Sequence, residues 1–253
     1  MTIHILNCAS MSPWFPRWRI GTPCILIDTD QGLVLVDTGL GLHDYESPSP
    51  MVRFFKLDFG IKNDPENSAI CQLRNLGHAP QEVRHIVMTH LHFDHAGGLS
   101  DFPHAQVHAH KRELDAVLHP RHWIELAYDP ADFKHGPNWV LYDQVTDQWL
   151  GLDAIRMPFT PEMFLVPLFG HTRGHCGVAV RDGDGWLFQC ADALPTNVQF
   201  DLTPDWLNRL VLGPHVPRLR AWASAHPEVR LLAGHMWQSF FETGSSLQPV
   251  VPT

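Results

Sequence analysis

The 253-residue sequence is poor in positive charge, in tyrosine and in pairable cysteine, and it has no long apolar run. No stretch reaches the roughly 18 apolar residues needed to span a bilayer, which excludes an integral membrane protein. Eighteen Lys and Arg stand against 27 Asp and Glu, a formal net charge of −9. That balance disfavours a nucleic-acid or anionic-membrane binder, and no basic cluster offsets it. The five cysteines (Cys8, Cys24, Cys71, Cys176 and Cys190) are odd in number, widely spread and free of any C-x-x-C spacing. They are expected as reduced, mostly buried thiols, not as a disulfide framework or a cysteine zinc site. Met1 to Met11 offers no basic start and no clean apolar core before a small-residue cleavage site, so the expected location is the cytoplasm. No linker, repeat or low-complexity segment interrupts the chain, and residues 1–253 are expected to form one domain.

What is present is a core and an excess of histidine. Hydrophobic residues make up 44% and charged residues 18%, enough to bury a sizeable interior and to exclude disorder for most of the chain. There are 18 histidines, and 9 tryptophans against 3 tyrosines. Ile3–Leu6 reads as a strand. Cys24–Asp28 and Leu33–Asp37 flank a Gly-containing turn and read as a hairpin. Asn67–Leu76 carries Ala69, Ile70, Leu73 and Leu76 at helical spacing and closes at Gly77. A buried strand is expected at His85–Thr89 and a helix at Lys111–Leu118. The Pro-, His- and Asp-rich stretch from His119 to Asn138 reads as a long loop, a class that is often functional. In the second half, Phe164–Leu168, Val178–Arg181, Trp186–Cys190 and Val229–Ala233 read as strands, and Trp206–Leu212 and Val216–Ala225 as helices. Strands alternating with helices, with hairpins at both ends, point to a mixed α/β sandwich.

The segment Thr89-His90-Leu91-His92-Phe93-Asp94-His95-Ala96-Gly97-Gly98 carries the chemistry. Residues two apart in extended chain point the same way, so His90 and His92 present two imidazoles to one point. The chain then turns, and Asp94 and His95 project towards an adjacent point. Four nitrogen and oxygen ligands within six residues suit one or two borderline metals such as Zn²⁺. Later strands each end near another ligand-type side chain. These are Gly170-His171-Thr172-Arg173-Gly174-His175, Cys190-Ala191-Asp192 and Gly234-His235.

The His-x-His-x-Asp-His motif at 90–95, the Gly-His-Thr-x-Gly-His run, the later Asp192, the final Gly-His and the early Asp37-Thr38-Gly39 resemble the metallo-β-lactamase-fold hydrolase superfamily. The resemblance runs from Leu33 to His235. It implies an α/β (α+β) fold, a four-layer αββα sandwich with a dinuclear metal site on one edge. On that resemblance His90, His92 and His171 bind the first ion, Asp94, His95 and His235 the second, and Asp192 bridges both. Asp37 stands behind a ligand histidine and holds its tautomer, while His175 is a hydrogen-bonding neighbour. The implied cofactors are two divalent ions, Zn²⁺ first, with Fe, Mn, Co or Ni as the other candidates. The implied reaction is attack of a metal-bridging hydroxide on a carbonyl, with Asp94 carrying the proton. No serine or cysteine nucleophile is required, and no elbow motif for one is evident.

Among the branches of this superfamily the chain is most similar to the N-acyl homoserine lactonases, which implies a small-molecule lactone or ester as partner. One position departs from them: they usually carry a tyrosine three residues after the bridging aspartate, and here that residue is Pro195. The competing readings are a β-lactamase, a thioesterase or an iron-dependent redox member. The first is normally exported, the second usually carries a basic C-terminal helical domain, and only 18 residues follow His235. Diiron oxygen reductases usually replace a ligand histidine with carboxylate and add a flavin domain. The loop Trp14-Phe15-Pro16-Arg17-Trp18 has two readings. Trp14, Phe15 and Trp18 form an apolar wall of the substrate pocket, or they plug the core or the contact of a homodimer.

Overall fold

Alternation of apolar side chains with both alternating sets buried is what a strand in the middle of a layered structure requires. In Cys24-Ile25-Leu26-Ile27 and Leu33-Leu35 with Val34-Val36, all positions are fully or almost fully buried. Ile25, Ile27, Val34 and Val36 join one apolar cluster, and Cys24, Leu26, Leu33 and Leu35 join another. A computed structural model describes residues 2–13, 19–121, 123–196 and 215–243. It pairs β2 (Ile20–Thr29) with β3 (Gly32–Val36) through a two-residue turn, as the hairpin signal requires. β1 (Thr2–Met11) lies antiparallel on the other edge of β2 and runs well past the expected Leu6.

The first sheet continues with β4 (Val83–Val87), β5 (Gln106–His110) and β6 (Asn138–Tyr142), all parallel to β3. The second is built from β7 (Asp147–Trp149), β8 (Leu152–Arg156), β9 (Met163–Pro167), β10 (Cys176–Asp182), β11 (Gly185–Thr196) and β12 (Val229–Trp237). It is antiparallel except between β11 and β12. β12 runs past the expected Ala233, and Met236 and Trp237 pair with Gly21 and Ile20 on the edge of β2 beyond β3. The two sheets are therefore stitched at the start of β2, one residue from His235.

The layers follow from which faces meet. Ile25, Val34 and Val87 share a cluster with Leu165, Val178 and Leu187, and the Gln189 side chain donates to the Pro23 carbonyl across the gap (3.2 Å). The opposite face of the first sheet is covered by α3 (Ala69–Asn75), through Ile70 and Leu73, and by Ala116 of α5 (Lys111–Leu118). The opposite face of the second sheet carries Phe188, whose ring meets Trp149 and Trp222, the latter on the helix His215–Ala225. Helix, sheet, sheet, helix is the four-layer αββα sandwich.

The other helices of the described residues are α1 (Leu42–Glu46), α2 (Pro50–Asp58) and α4 (Phe93–Ala96) in the first half, then α6 (His215–Ala225) and α7 (Gln238–Thr243). The expected helix at Asn67–Leu76 starts late because Ser68 caps it, accepting from the Cys71 N–H, and it ends at Asn75 with Leu76 as its C-cap. The long loop at His119–Asn138 contains 3-10 turns at Trp123–Ala127 and Pro130–Phe133. The expected helix Trp206–Leu212 and the Trp14–Trp18 loop lie outside the described residues. No helix among the described residues is long and apolar enough to cross a membrane.

Leu73 is fully buried between α3 and the first sheet. Leu73→Ala should lower stability by about 2–5 kcal/mol in urea-induced unfolding, because a cavity is left under a sheet that cannot collapse onto it. A loss below about 0.5 kcal/mol would show that the helix layer is not packed as described.

Candidate metal centre

Two strand ends and two strand interiors deliver the histidines and aspartates to one place. β4 runs out at Val87, the chain bends at Thr89, and His92, in extended conformation, stands at the N-cap of α4, which carries Asp94 and His95. His171 follows β9. His235 sits inside β12. Asp192 is placed by an irregularity in β11: the register against β12 slips between Gln189 and Ala191, and Ala191 takes a positive φ of 44°. The Gly97-Gly98 pair lets the chain after α4 pass against Thr38 and Asp44, where a Cβ would collide with both.

The structure brings together all seven sequence-predicted ligands in two adjoining groups: His90, His92, His171 and Asp192, then Asp94, His95 and His235. His171 Nε2 lies 3.1 Å from His92 Nδ1 and 3.2 Å from Asp192 Oδ2. Those separations suit co-ligands of one cation, since two atoms each about 2.0–2.1 Å from a tetrahedral ion lie roughly 3.3 Å apart. Asp192 Oδ2 is also 4.0 Å from His90 Nε2, whereas its other oxygen, Oδ1, is 3.6 Å from His95 Nε2 and 3.8 Å from His235 Nε2. One carboxylate thus turns one oxygen to each group. Asp94 Oδ2 closes the second group, 3.6 Å from His235 Nε2 and 3.8 Å from His95 Nε2.

His90 Nε2, His95 Nε2 and Asp192 Oδ1 are buried without a hydrogen-bond partner. Leaving such atoms unpaired is costly, and lone pairs converging on one point fit cations better than anything the chain itself supplies. The electrostatics agree. Burial, followed by the neighbouring imidazoles, holds His90 and His92 well below the usual histidine range, and burial also lowers His171. They stay neutral, the form that binds metal. Burial opposes charge at His95 more than any single neighbour favours it, yet Asp94, Asp192 and Asp37 together hold that imidazole well above its usual range. Burial pushes Asp192 up, but His171, His235 and His95 outweigh it and keep the carboxylate well below its usual range.

Behind the ligands stand two carboxylates that do not face the cluster. Asp37, fully buried, accepts the His95 Nδ1–H at 2.9 Å, the Thr89 N–H at 2.8 Å and the Thr89 hydroxyl at 2.7 Å. The Thr89 oxygen in turn lies 3.1 Å from His90 Nδ1. One aspartate thereby orients one histidine of each group, directly and through a hydroxyl. Thr22 Oγ lies 3.3 Å from His235 Nδ1, and His175 Nε2 accepts the Asp192 N–H at 3.1 Å, the neighbour role expected for it. The second carboxylate, Glu113, escaped the sequence reading. It accepts from the Leu91 N–H (3.0 Å), Tyr128 hydroxyl (3.0 Å), Thr172 hydroxyl (2.7 Å) and Gly174 N–H (3.1 Å). It ties the His90–His92 and His171–His175 segments to each other. Burial pushes its carboxyl up against the pull of those four donors.

A cavity of about 290 Å³ opens onto His92, Asp94, His171, Asp192 and His235. Its walls are Met11, Phe55 and Phe59, Phe93, and Ile124, Leu126 and Ala127 of the long loop. The expected wall residues Trp14, Phe15 and Trp18 are not among the described residues, and α2, which brings Phe55, was not expected from the sequence. Its only signal was Ser49-Pro50 as a cap followed by a proline at the first helical position. Arg173 anchors the loop wall by donating to Glu125 at 2.7 Å and to the His119 carbonyl at 2.6 Å. Pro195 is half-buried in β11. No described residue lining the cavity carries a hydroxyl.

A sequence profile of the metallo-beta-lactamase superfamily matches residues 17–235, and the chain belongs to that family. A probable metallo-hydrolase of Mycobacterium tuberculosis is 37% identical over 196 residues, 76% of this chain and 62% of its own length. The chain thus spans less than two thirds of that mycobacterial relative. An N-acyl homoserine lactonase of Bacillus thuringiensis is 25% identical over 187 residues, covering 70% of this chain and 66% of the relative. Among solved structures, an N-acyl homoserine lactone hydrolase with N-hexanoyl-L-homoserine at its catalytic metal centre superposes with a TM-score of 0.73 at 18% identity, over 98% of this chain and 97% of that one. A likeness at that identity speaks for the fold.

Asp37→Asn should keep the fold but weaken metal binding about 10–100-fold, read by competition with a chromophoric chelator, because an amide turns N–H towards a donor. Unchanged affinity would show that Asp37 does not orient the histidines.

Proposed function

We propose that the chain is a dinuclear metal-dependent hydrolase of lactones or esters with an apolar substituent. The carrying observation is Asp192, with one oxygen turned to each of two histidine groups at the floor of an apolar cavity. His90, His92 and His171 would hold one ion, Asp94, His95 and His235 the other, and Asp192 both, with Zn²⁺ the first candidate. Two such ions supply Lewis acidity and acidify a coordinated water from 15.7 towards about 7.

The residues of the chain do the rest. Asp37 and Thr89 keep His95 and His90 in the tautomers that present Nε2. Asp94 lines the cavity and can hold a proton and deliver it to the departing oxygen. Met11, Phe55, Phe59, Phe93, Ile124 and Leu126 exclude water and receive an apolar group. Pro195 in place of tyrosine, with no hydroxyl among the described lining residues, takes away the donor that homoserine lactonases usually set against the substrate carbonyl. That favours substrates whose carbonyl needs no second donor, and makes simple esters and other lactones as fitting as N-acyl homoserine lactones. The similarity to named lactonases and to a probable metallo-hydrolase supports hydrolysis as the reaction class.

Zn²⁺-reconstituted protein should hydrolyse lactones or esters in a panel that also holds thioesters and β-lactams, and lose turnover on chelation. Asp94→Asn should keep at least one ion and lose about 10²–10⁴-fold in kcat. Turnover confined to β-lactams, or full turnover in metal-replete Asp94→Asn, would overturn this reading.

A further inference from the structure

A second group of ligand-type side chains lies apart from the cavity floor. His43 and Asp44 on α1 meet Asp132, in the 3-10 turn Pro130–Phe133 of the long loop. His43 Nε2 is 3.2 Å from Asp132 Oδ1 and 3.3 Å from Asp44 Oδ1. The Asp44 and Asp132 side chains are fully buried, and that of His43 is 29% exposed, leaving an approach from solvent. Ser100 Oγ lies 3.3 Å from His43 Nδ1, which turns Nε2 to the carboxylates.

The carboxylates are held from behind and left open in front. Asp44 Oδ2 accepts the Gly41 N–H at 2.9 Å, and Asp129 Oδ1 accepts the Ala131 N–H at 2.9 Å. Asp44 Oδ1, Asp129 Oδ2 and Asp132 Oδ2 are buried with no hydrogen-bond donor. Asp101, whose Oδ2 accepts the Leu42 N–H, adds a fourth carboxylate near His43. Among the described residues the basic groups near the cluster are His43, Lys56, whose ammonium donates to the Asp44 carbonyl, His135 beside Asp132 and His43, and Arg74 near Asp101. Burial pushes Asp132 up to about 7 and Asp44 and Asp101 to about 6, against the pull of His43, whose own imidazole the Asp132 carboxylate raises to about 9.

We propose that His43, Asp44 and Asp132 form a third cation site, for a divalent transition-series ion of the Zn²⁺ type, separate from the two histidine groups at the cavity floor. One imidazole and converging carboxylate oxygens are the donor set such an ion takes. The site joins α1, which follows the Asp37-Thr38-Gly39 turn, to the loop that carries Ile124, Leu126 and Ala127. A cation there pins the cavity wall to the first-motif segment. Without a cation, a proton on His43 Nε2 serves as the countercharge.

The test is metal counting on the folded chain. Protein loaded with Zn²⁺ and freed of excess is analysed by mass spectrometry of the element, and about three ions per chain are expected, falling to about two in both Asp132→Asn and His43→Asn. His92→Ala should lose ions from the cavity floor and retain the one at His43. A wild-type count of two that neither Asp132→Asn nor His43→Asn lowers would overturn the proposal, and the wild-type count decides even if a variant fails to fold. A count of one that survives His92→Ala and vanishes in His43→Asn would support this site while refuting the dinuclear reading of the other.

Discussion

Seven imidazole and carboxylate side chains are gathered within a few ångström of one another, largely out of water, and they cannot satisfy one another. His90 Nε2, His95 Nε2 and Asp192 Oδ1 have no partner in the folded chain. In an ordinary core each such atom would be a liability of about 1–3 kcal/mol. Here the liabilities converge, and bound cations would relieve them together. Much of the architecture around the site serves to impose that convergence.

It is imposed from two directions. The sheets provide rigid ends: β4, β9, β11 and β12 each bring a ligand-type residue to the same edge, and the pairing of Met236 and Trp237 with the start of β2 fixes the second sheet against the first beside His235. The carboxylates behind the cluster then set orientation. Asp37 governs His95 directly and His90 through Thr89, reaching both groups with one side chain. Glu113 does for the backbone what Asp37 does for the imidazoles, binding the two histidine-bearing segments to one point. The same segment network reaches the cavity wall, since Tyr128 also donates to Glu113 and Arg173 holds Glu125. Metal site and wall are therefore not independent: a change in one loop is transmitted through these buried bonds to the other.

The parts legible in the sequence are those with local signatures. The 90–95 motif, Asp37, His171, Asp192 and His235 each follow an apolar run, where an isolated polar residue shows plainly, although β11 and β12 continue past Asp192 and His235, and the resemblance sorts them into roles. The Cys24–Asp37 hairpin and Lys111–Leu118 have turn chemistry or periodicity of their own. Glu113 has none: it looks like an acid in the first turn of an exposed helix, and only segments 15 to 61 positions away in sequence bury it. α2 escapes because Phe54 and Leu57 are exposed while Phe55 faces the cavity, so no clean apolar stripe marks it. His43 carries no local signature either, because its partner Asp132 is 89 positions away. β6 to β8 are short and half-exposed, and their pattern is too weak to separate from loop.

The central claim is that Asp192 stands between two cations. It is tested most directly by anomalous X-ray scattering at the zinc edge from crystals of the zinc-loaded protein. The account predicts two peaks about 3.5–4 Å apart, with Asp192 between them, His90, His92 and His171 around one, and Asp94, His95 and His235 around the other. A single peak held by one histidine group, with Asp192 turned away from it, would contradict the account.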